Sequence, residues 1–182
     1  LLIRPYLRRE AIFSSRIENT IADMEELALF EAQPEEEPSR PDVREVANYV
    51  RALESGLKRL AELPISSRLI CELHGILLTG VRGGEVSKTP GEYRRSQNWI
   101  GPPGATLAEA SFVPPPPDEM QRALGDWENY LHADTPEPVL VKCAFMHYQF
   151  EAIHPFLDGN GRIGRLLITL FLCSGGYLSQ PL

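Results

Sequence analysis

Apolar residues recur along most of this chain at three- and four-residue intervals, the spacing that lines one face of an α-helix. Ile17, Ile21, Met24 and Leu27-Ala28 carry that spacing and predict a first helix over residues 8–31. Pro41-Asp42 opens a second, carried by Val46, Tyr49-Val50, Leu53, Leu57 and Leu60 and stopped by Pro64. Ser66 or Ser67 caps a third that runs to Leu78, with Gly80, Gly83 and Gly84 closing it. Asp118 caps a fourth through Met120, Leu124, Trp127 and Leu131; a fifth spans 138–153 and a sixth 160–174. Residues 89–117, TPGEYRRSQNWIGPPGATLAEASFVPPPP, break the rhythm. There Trp99-Ile100 and Phe112-Val113 flank a Gly/Pro/Ala-rich stretch, as in a loose hairpin closed by a polyproline II run at 114–117. A structureless loop of that length inside a compact domain is uncommon and often functional. The pattern predicts an all-α fold: a compact six-helix bundle with one β-hairpin.

The sixth helix is almost wholly apolar, and the twelve residues leading into it are HPFLDGNGRIGR, residues 154–165. Pro155 disfavours helical geometry at His154, so His154 is expected to project from an extended or turning segment. Gly159 and Gly161 let the backbone approach a ligand closely. A helix opening at a Gly-Asn-Gly loop offers free N–H groups and a positive dipole end to phosphate. Arg162 and Arg165, three apart, share a face and can bracket one polyphosphate. His154, at an ordinary pKa of about 6.5, can take a proton from a hydroxyl at neutral pH. Asp158 is a hard oxygen ligand suited to Mg²⁺ that substrate phosphates also hold, and Asn160 can bind phosphate oxygens. A lone His or an Asp before Gly is more often structural; the combination on this spacing is what points to a site.

Those twelve residues resemble the signature of the Fic family, HxFx(D/E)GNGRxxR, with every fixed position present. The resemblance covers residues 10–182. It implies transfer of AMP from ATP to a Ser, Thr or Tyr hydroxyl of a target protein, with His154 as base and Asp158 as Mg²⁺ ligand. Gly159, Asn160 and Gly161 would form the anion hole, with Gly164 beside it, and Arg162 and Arg165 would hold the β- and γ-phosphates. SSRIEN, residues 14–19, is similar to the family's inhibitory pattern (S/T)xxxE(G/N) through Ser14, Glu18 and Asn19. The resemblance implies an N-terminal inhibitory helix region at 1–40 over a catalytic core at 41–182, one compact domain together, with Glu18 paired to Arg165. A carboxylate there mimics the charge and bidentate geometry of a phosphate. The resemblance also makes the hairpin a flap whose edge, at Trp99, Ile100, Phe112 and Val113, docks the target by β-strand addition. Removal of AMP, transfer of another nucleotide-linked group, and an idle toxin–antitoxin-like binding module are the competing readings; the intact His154 weighs against the last.

Composition changes little of this. With 182 residues and 43% hydrophobic content the chain suits one soluble domain. A net charge of −7 without a basic stripe argues against nucleic acid as partner. No signal peptide and no run of some eighteen apolar residues is visible, so no membrane is expected. Cys71, Cys143 and Cys173 lie far apart in apolar contexts and read as reduced thiols of a cytoplasmic protein. Glu35-Glu36-Glu37 reads as a solvated loop. His74 and His147 read as satisfied core or helix-end residues, His147 beneath the site. Trp127, Tyr130, Phe145, Phe150 and Phe171 read as core, while Tyr177 is within reach of a nucleotide. The chain opens without Met and stops soon after the apolar helix, so it reads as cut at both ends. A homodimer is left open.

Overall fold

The computed structural model describes residues 4–33 and 37–178. Both chain ends and most of the Pro34–Glu37 acidic stretch lie outside them. Seven α-helices form among the described residues: α1 (Arg4–Arg16), α2 (Met24–Ala32), α3 (Pro41–Arg59), α4 (Ser67–Leu77), α5 (Pro117–His132), α6 (Val139–Ile153) and α7 (Asn160–Ser174). The all-helical expectation holds, and α7 spans the residues read from sequence. None of these helices is long and apolar enough to cross a membrane.

The expected first helix is two. α1 ends at Arg16 and is closed by a Schellman motif: the Thr20 N–H donates to the Ser15 carbonyl (3.1 Å) and the Asn19 N–H to the Arg16 carbonyl (3.0 Å). That motif needs a left-handed residue just beyond the helix, and Asn19 supplies it at φ 59°. α2 restarts at Asp23, whose carboxylate accepts from the Glu26 N–H (2.8 Å) while Glu26 accepts from the Asp23 N–H (3.1 Å). Two strong end signals therefore override a continuous apolar rhythm. As a result Ile17, Ile21 and Met24 are exposed, and Leu7, Ala11 and Leu27 form the buried face.

α3 is the centre of the bundle and packs against α1, α2, α4 and α7. Its face of Val43, Val46, Ala47, Val50 and Leu53 is buried, as is that of α7, with Ile163, Leu166, Leu167 and Leu170. α5 and α6 pack on one another, and α6 packs on α7. Asp118 does not cap α5; Pro116 holds the cap position at φ −63°, ψ 160° and Pro117 begins the helix, so the polyproline conformation ends at Pro116. Phe145 is 52% exposed and is not core; Trp127 and Phe150 are buried as expected. The three cysteines are free thiols. The segment before α5 makes a single antiparallel bridge, Ile100 with Phe112, rather than an extended hairpin; Pro102, Pro103 and Gly104 between them prevent a longer ladder.

Asp23→Ala would remove the side-chain acceptor of the α2 capping box and leave Glu26 accepting from the backbone N–H of residue 23; the lost cap is worth about 1 kcal/mol. The expected outcome is a fall in Tm of roughly 2–4 °C, measured by circular dichroism, with transition cooperativity unchanged.

Candidate active site

α6 ends at Ile153, and His154 takes its C-cap position in the left-handed region, φ 49° and ψ 60°. Of the two geometries expected beside Pro155, extended or turning, it is the turn that forms: the chain reverses within one residue. His154 Nδ1 lies 3.3 Å from the Glu151 carbonyl oxygen. A carbonyl only accepts, so Nδ1 carries the proton and Nε2 presents its lone pair. Burial pushes the imidazole pKa below its ordinary value, and the positive charge of Arg94 adds to this; the Glu151 carbonyl, Asp158 and Glu18 pull the other way. The ring is thus held neutral, the form a general base needs.

The turn that follows is fixed by side chains. Asn160 is buried, accepts from the Phe156 N–H (2.8 Å) and donates to the Phe156 carbonyl (2.9 Å). Its amide closes the loop on itself, so the phosphate contact expected of Asn160 is left to backbone groups. Asn98 donates to the carbonyls of Phe156 (3.0 Å) and His154 (3.3 Å). His74 stacks on Phe156 with ring centroids 3.7 Å apart. Its Nδ1 accepts from the Gly91 N–H (2.8 Å), so its Nε2–H donates to the Asp158 carbonyl (3.0 Å). Gly159, at φ 75°, then leads into α7, whose N-terminus no side chain caps. Its first N–H groups are available to an anion.

Arg162 is buried and bonds Glu45 (3.2 Å) and Asp158 (3.2 Å). Glu45, itself buried, also accepts from Thr20 (3.0 Å). Arg165 faces the other way along the helix start. Its Nε donates to the Ser14 hydroxyl (2.9 Å) and its guanidinium pairs with Glu18 (2.8 Å). Glu18 stands at the C-cap of α1 rather than within a helix, at the dipole end that disfavours a carboxylate, and Arg165 offsets that. Glu18 Oε1 lies directly over Gly161, where any Cβ would collide with it. Gly164 likewise leaves room for the Glu151 carboxyl, whose pKa burial raises. His147 lies beside Gly164, but it is not the satisfied histidine expected: among the described residues its buried Nδ1 has no hydrogen-bond partner.

Asp158 Oδ1 accepts from the Gly159 N–H (2.6 Å) and from Arg162, and among the described residues no donor takes Oδ2. Gly83 faces this carboxyl so closely that a Cβ would lie 2.8 Å from Oδ2. One unshared hard oxygen beside an anion-binding helix end fits Mg²⁺ that also binds phosphate and water. Among the described residues no group of three His, Cys, Asp or Glu forms a closed cage. Trp99, Ile100, Phe112 and Val113 are exposed on the flap. Tyr177 is exposed beyond α7.

Sequence reasoning missed Glu45, Arg94, Asn98 and Gly83. Glu45 did leave a signal, lying one turn before Tyr49 on the apolar face of α3, where an acid requires a partner. The other three leave none, because only the fold brings their segments to the 154–160 turn.

Burial sets the His74 pKa down at about 4, and protonated Nδ1 would face the Gly91 N–H donor to donor. The unfolded imidazole takes up its proton near pH 6.5 and the folded one does not, so folding stability falls as pH drops from about 6.5 to about 4. His74→Gln should lower stability at pH 7.5 yet flatten the decline by up to about 1.4 kcal/mol per pH unit, read by urea unfolding at both ends of that window.

Two family models match the chain, Fic/DOC family over residues 64–172 and Fic/DOC family N-terminal over residues 1–58. A probable protein adenylyltransferase of Aquifex aeolicus is 31% identical over 178 residues, spanning 94% of this chain and 49% of that protein. The protein adenylyltransferase Fic of Drosophila willistoni is 38% identical over 121 residues, spanning 64% of this chain and 21% of that protein. The crystal structure of a Fic family protein from Desulfovibrio desulfuricans G20 superposes with a TM-score of 0.69 at 26% identity, covering 93% of this chain and 49% of that one. The chain spans about half, or less, of the length of the curated relatives it matches.

Proposed function

This chain belongs to the Fic/DOC family, and we propose that it transfers AMP from ATP to a hydroxyl side chain of a target protein and is held inactive by Glu18. The observation that carries this reading is the convergence at one helix end: a neutral His154 with Nε2 free, an uncapped α7 N-terminus and an Arg165 already occupied by a carboxylate. His154 Nε2 would accept the proton of the attacking hydroxyl. The hydroxyl oxygen would bond to the α-phosphorus as the bond to the bridging oxygen breaks, and pyrophosphate would leave. The N–H groups of α7 and Arg162 would neutralise the phosphates, with Asp158 holding Mg²⁺, which supplies charge neutralisation at the phosphates. The target segment would align along the exposed edge of the Ile100–Phe112 bridge through main-chain hydrogen bonds. Free thiols support a cytoplasmic setting.

Glu18 occupies the place on Arg165 that a γ-phosphate would take. With Glu18 bound, ATP would sit with its phosphates turned away from in-line attack. A second reading, removal of AMP from a modified target, draws on Glu18 Oε2, which no group among the described residues binds and which can orient a water. Release of labelled AMP from a modified target by wild type, lost in Glu18→Gly, would favour that direction.

His154→Ala should reduce AMP incorporation by ~10²–10⁴-fold while ATP affinity stays within about three-fold. Initial rates with α-labelled ATP and calorimetric titration check this, and substantial residual transfer would remove His154 from the role. Glu18→Gly should raise incorporation by roughly 30- to 150-fold, which corresponds to about 2–3 kcal/mol for losing the charge-assisted pair. An unchanged rate would leave Glu18 a packing residue; the double variant with Arg165→Ala should be as inactive as Arg165→Ala alone.

A further inference from the structure

Arg94 is the largest fully buried side chain in the protein, 1% exposed, and among the described residues it has no carboxylate partner. The next residue, Arg95, is by contrast an exposed surface arginine paired with Glu92. A buried, unpaired cation costs several kcal/mol unless its donors are satisfied, so such a residue is kept for what it holds. Every bond Arg94 makes is to a carbonyl. Its Nε donates to His154 (2.9 Å), Nη1 to Ser96 (3.2 Å), and Nη2 to Pro115 (2.5 Å) and Ile153 (3.4 Å). Its own backbone N–H donates to Pro155 (2.9 Å).

These acceptors belong to two structures. Ser96 and Pro115 are the two roots of the flap, on either side of the Ile100–Phe112 bridge. Ile153, His154 and Pro155 are the reversal that carries the imidazole. Among the described residues His154 is one of three non-glycine residues with positive φ, a conformation that costs about 1 kcal/mol or more and persists only where the surroundings impose it. The carbonyl of that residue receives two donors, Arg94 and Asn98, and both come from the segment leading into the flap.

We infer that Arg94 is a positioning residue: one guanidinium ties both roots of the flap to the His154 carbonyl and so fixes the base against the surface on which the target docks. The inference rests on the reading of His154 as the base. A planar fork with five donors can bridge carbonyls in several directions at once; a lysine ammonium cannot, so Arg94→Lys would not rescue the function. The guanidinium charge also favours neutral His154, which agrees with the same role. The groups proposed above to hold the nucleotide, on α7 and at Asp158, do not include Arg94, so its loss should separate chemistry from ATP binding.

The experiment is made in the Glu18→Gly background with α-labelled ATP. Arg94→Gln and Arg94→Lys should each lower kcat by roughly 10²-fold, the scale of a misplacement of about 1 Å, with KM for ATP within about three-fold. Unchanged kcat, or equal losses in kcat and ATP affinity, would overturn the inference. If neither variant folds, Asn98→Ala decides, since it removes the second donor to the same carbonyl. A fall of about ten-fold in kcat at constant KM supports the role, and an unchanged kcat sinks it. Should the Glu18→Gly reference itself incorporate no AMP, adenylyl transfer is what fails. The backbone ¹³C shifts of His154 in the wild-type chain and in Asn98→Ala then decide positioning: a move from left-handed towards extended values supports it, and identical shifts refute it.

Discussion

The short turn over residues 154–160 carries the candidate base, the candidate metal ligand and an uncapped helix end, and its backbone is held by side chains from elsewhere in the fold. His74 from α4 takes the Asp158 carbonyl, Asn98 takes those of His154 and Phe156, and Asn160 closes on Phe156 from both sides. Without these donors the turn would be a glycine-bearing loop free to sample many conformations, and the catalytic groups would lose their relation to one another. The helices matter mainly because they deliver those donors. α3 and α7 bury the largest continuous apolar faces and meet beneath the turn, so α7 cannot shift without disturbing the core.

The charges follow a different logic from the packing. Arg162 and Arg165 start on one helix end but are treated in opposite ways. Arg162 is buried and already balanced by Glu45 and Asp158, so its charge belongs to the folded state. Arg165 is more open and paired with Glu18, which also sits on an unfavourable helix end. The first pair is expensive to break because it would leave a buried ion alone. The second can be exchanged for another anion at far smaller cost. The site therefore holds one structural and one exchangeable ion pair within a single helical turn.

Much of this was legible in the sequence where the signal is local. The helix of α7, the capping serine of α4 and the reactive residues of 154–165 follow from periodicity, capping chemistry and spacing. The pairing of Glu18 with Arg165 was legible only through resemblance, since the two are far apart in the chain. The break after Arg16 was missed because apolar spacing runs on through Ile17 and Ile21 while Asn19 and Asp23 end one helix and start the next. For Asn160 the sequence showed only half its part: its amide suits a phosphate as well as it suits a backbone, and the folded turn shows that it also closes on Phe156. Arg94 was not singled out, because nothing in YRRS distinguishes an arginine that will be buried from its exposed neighbour.

The Schellman turn that ends α1 has a consequence for timing. The helix before it is anchored to α3 through Leu7, Ala11 and Ile12, while the residues after Arg16 leave Ile17 and Ile21 in solvent. Glu18 is thus mounted on the seam between a fixed helix and a loosely held connection. To vacate Arg165 it needs only rotation about its own side-chain bonds or a local change at Asn19, events of nanoseconds to microseconds, whereas detachment of α1 from the core would be far slower. On the proposed reading, a carboxylate held this way would act as a rapidly equilibrating gate, its setting thermodynamic rather than kinetic. A signal acting on it has only to bias an equilibrium that is already running.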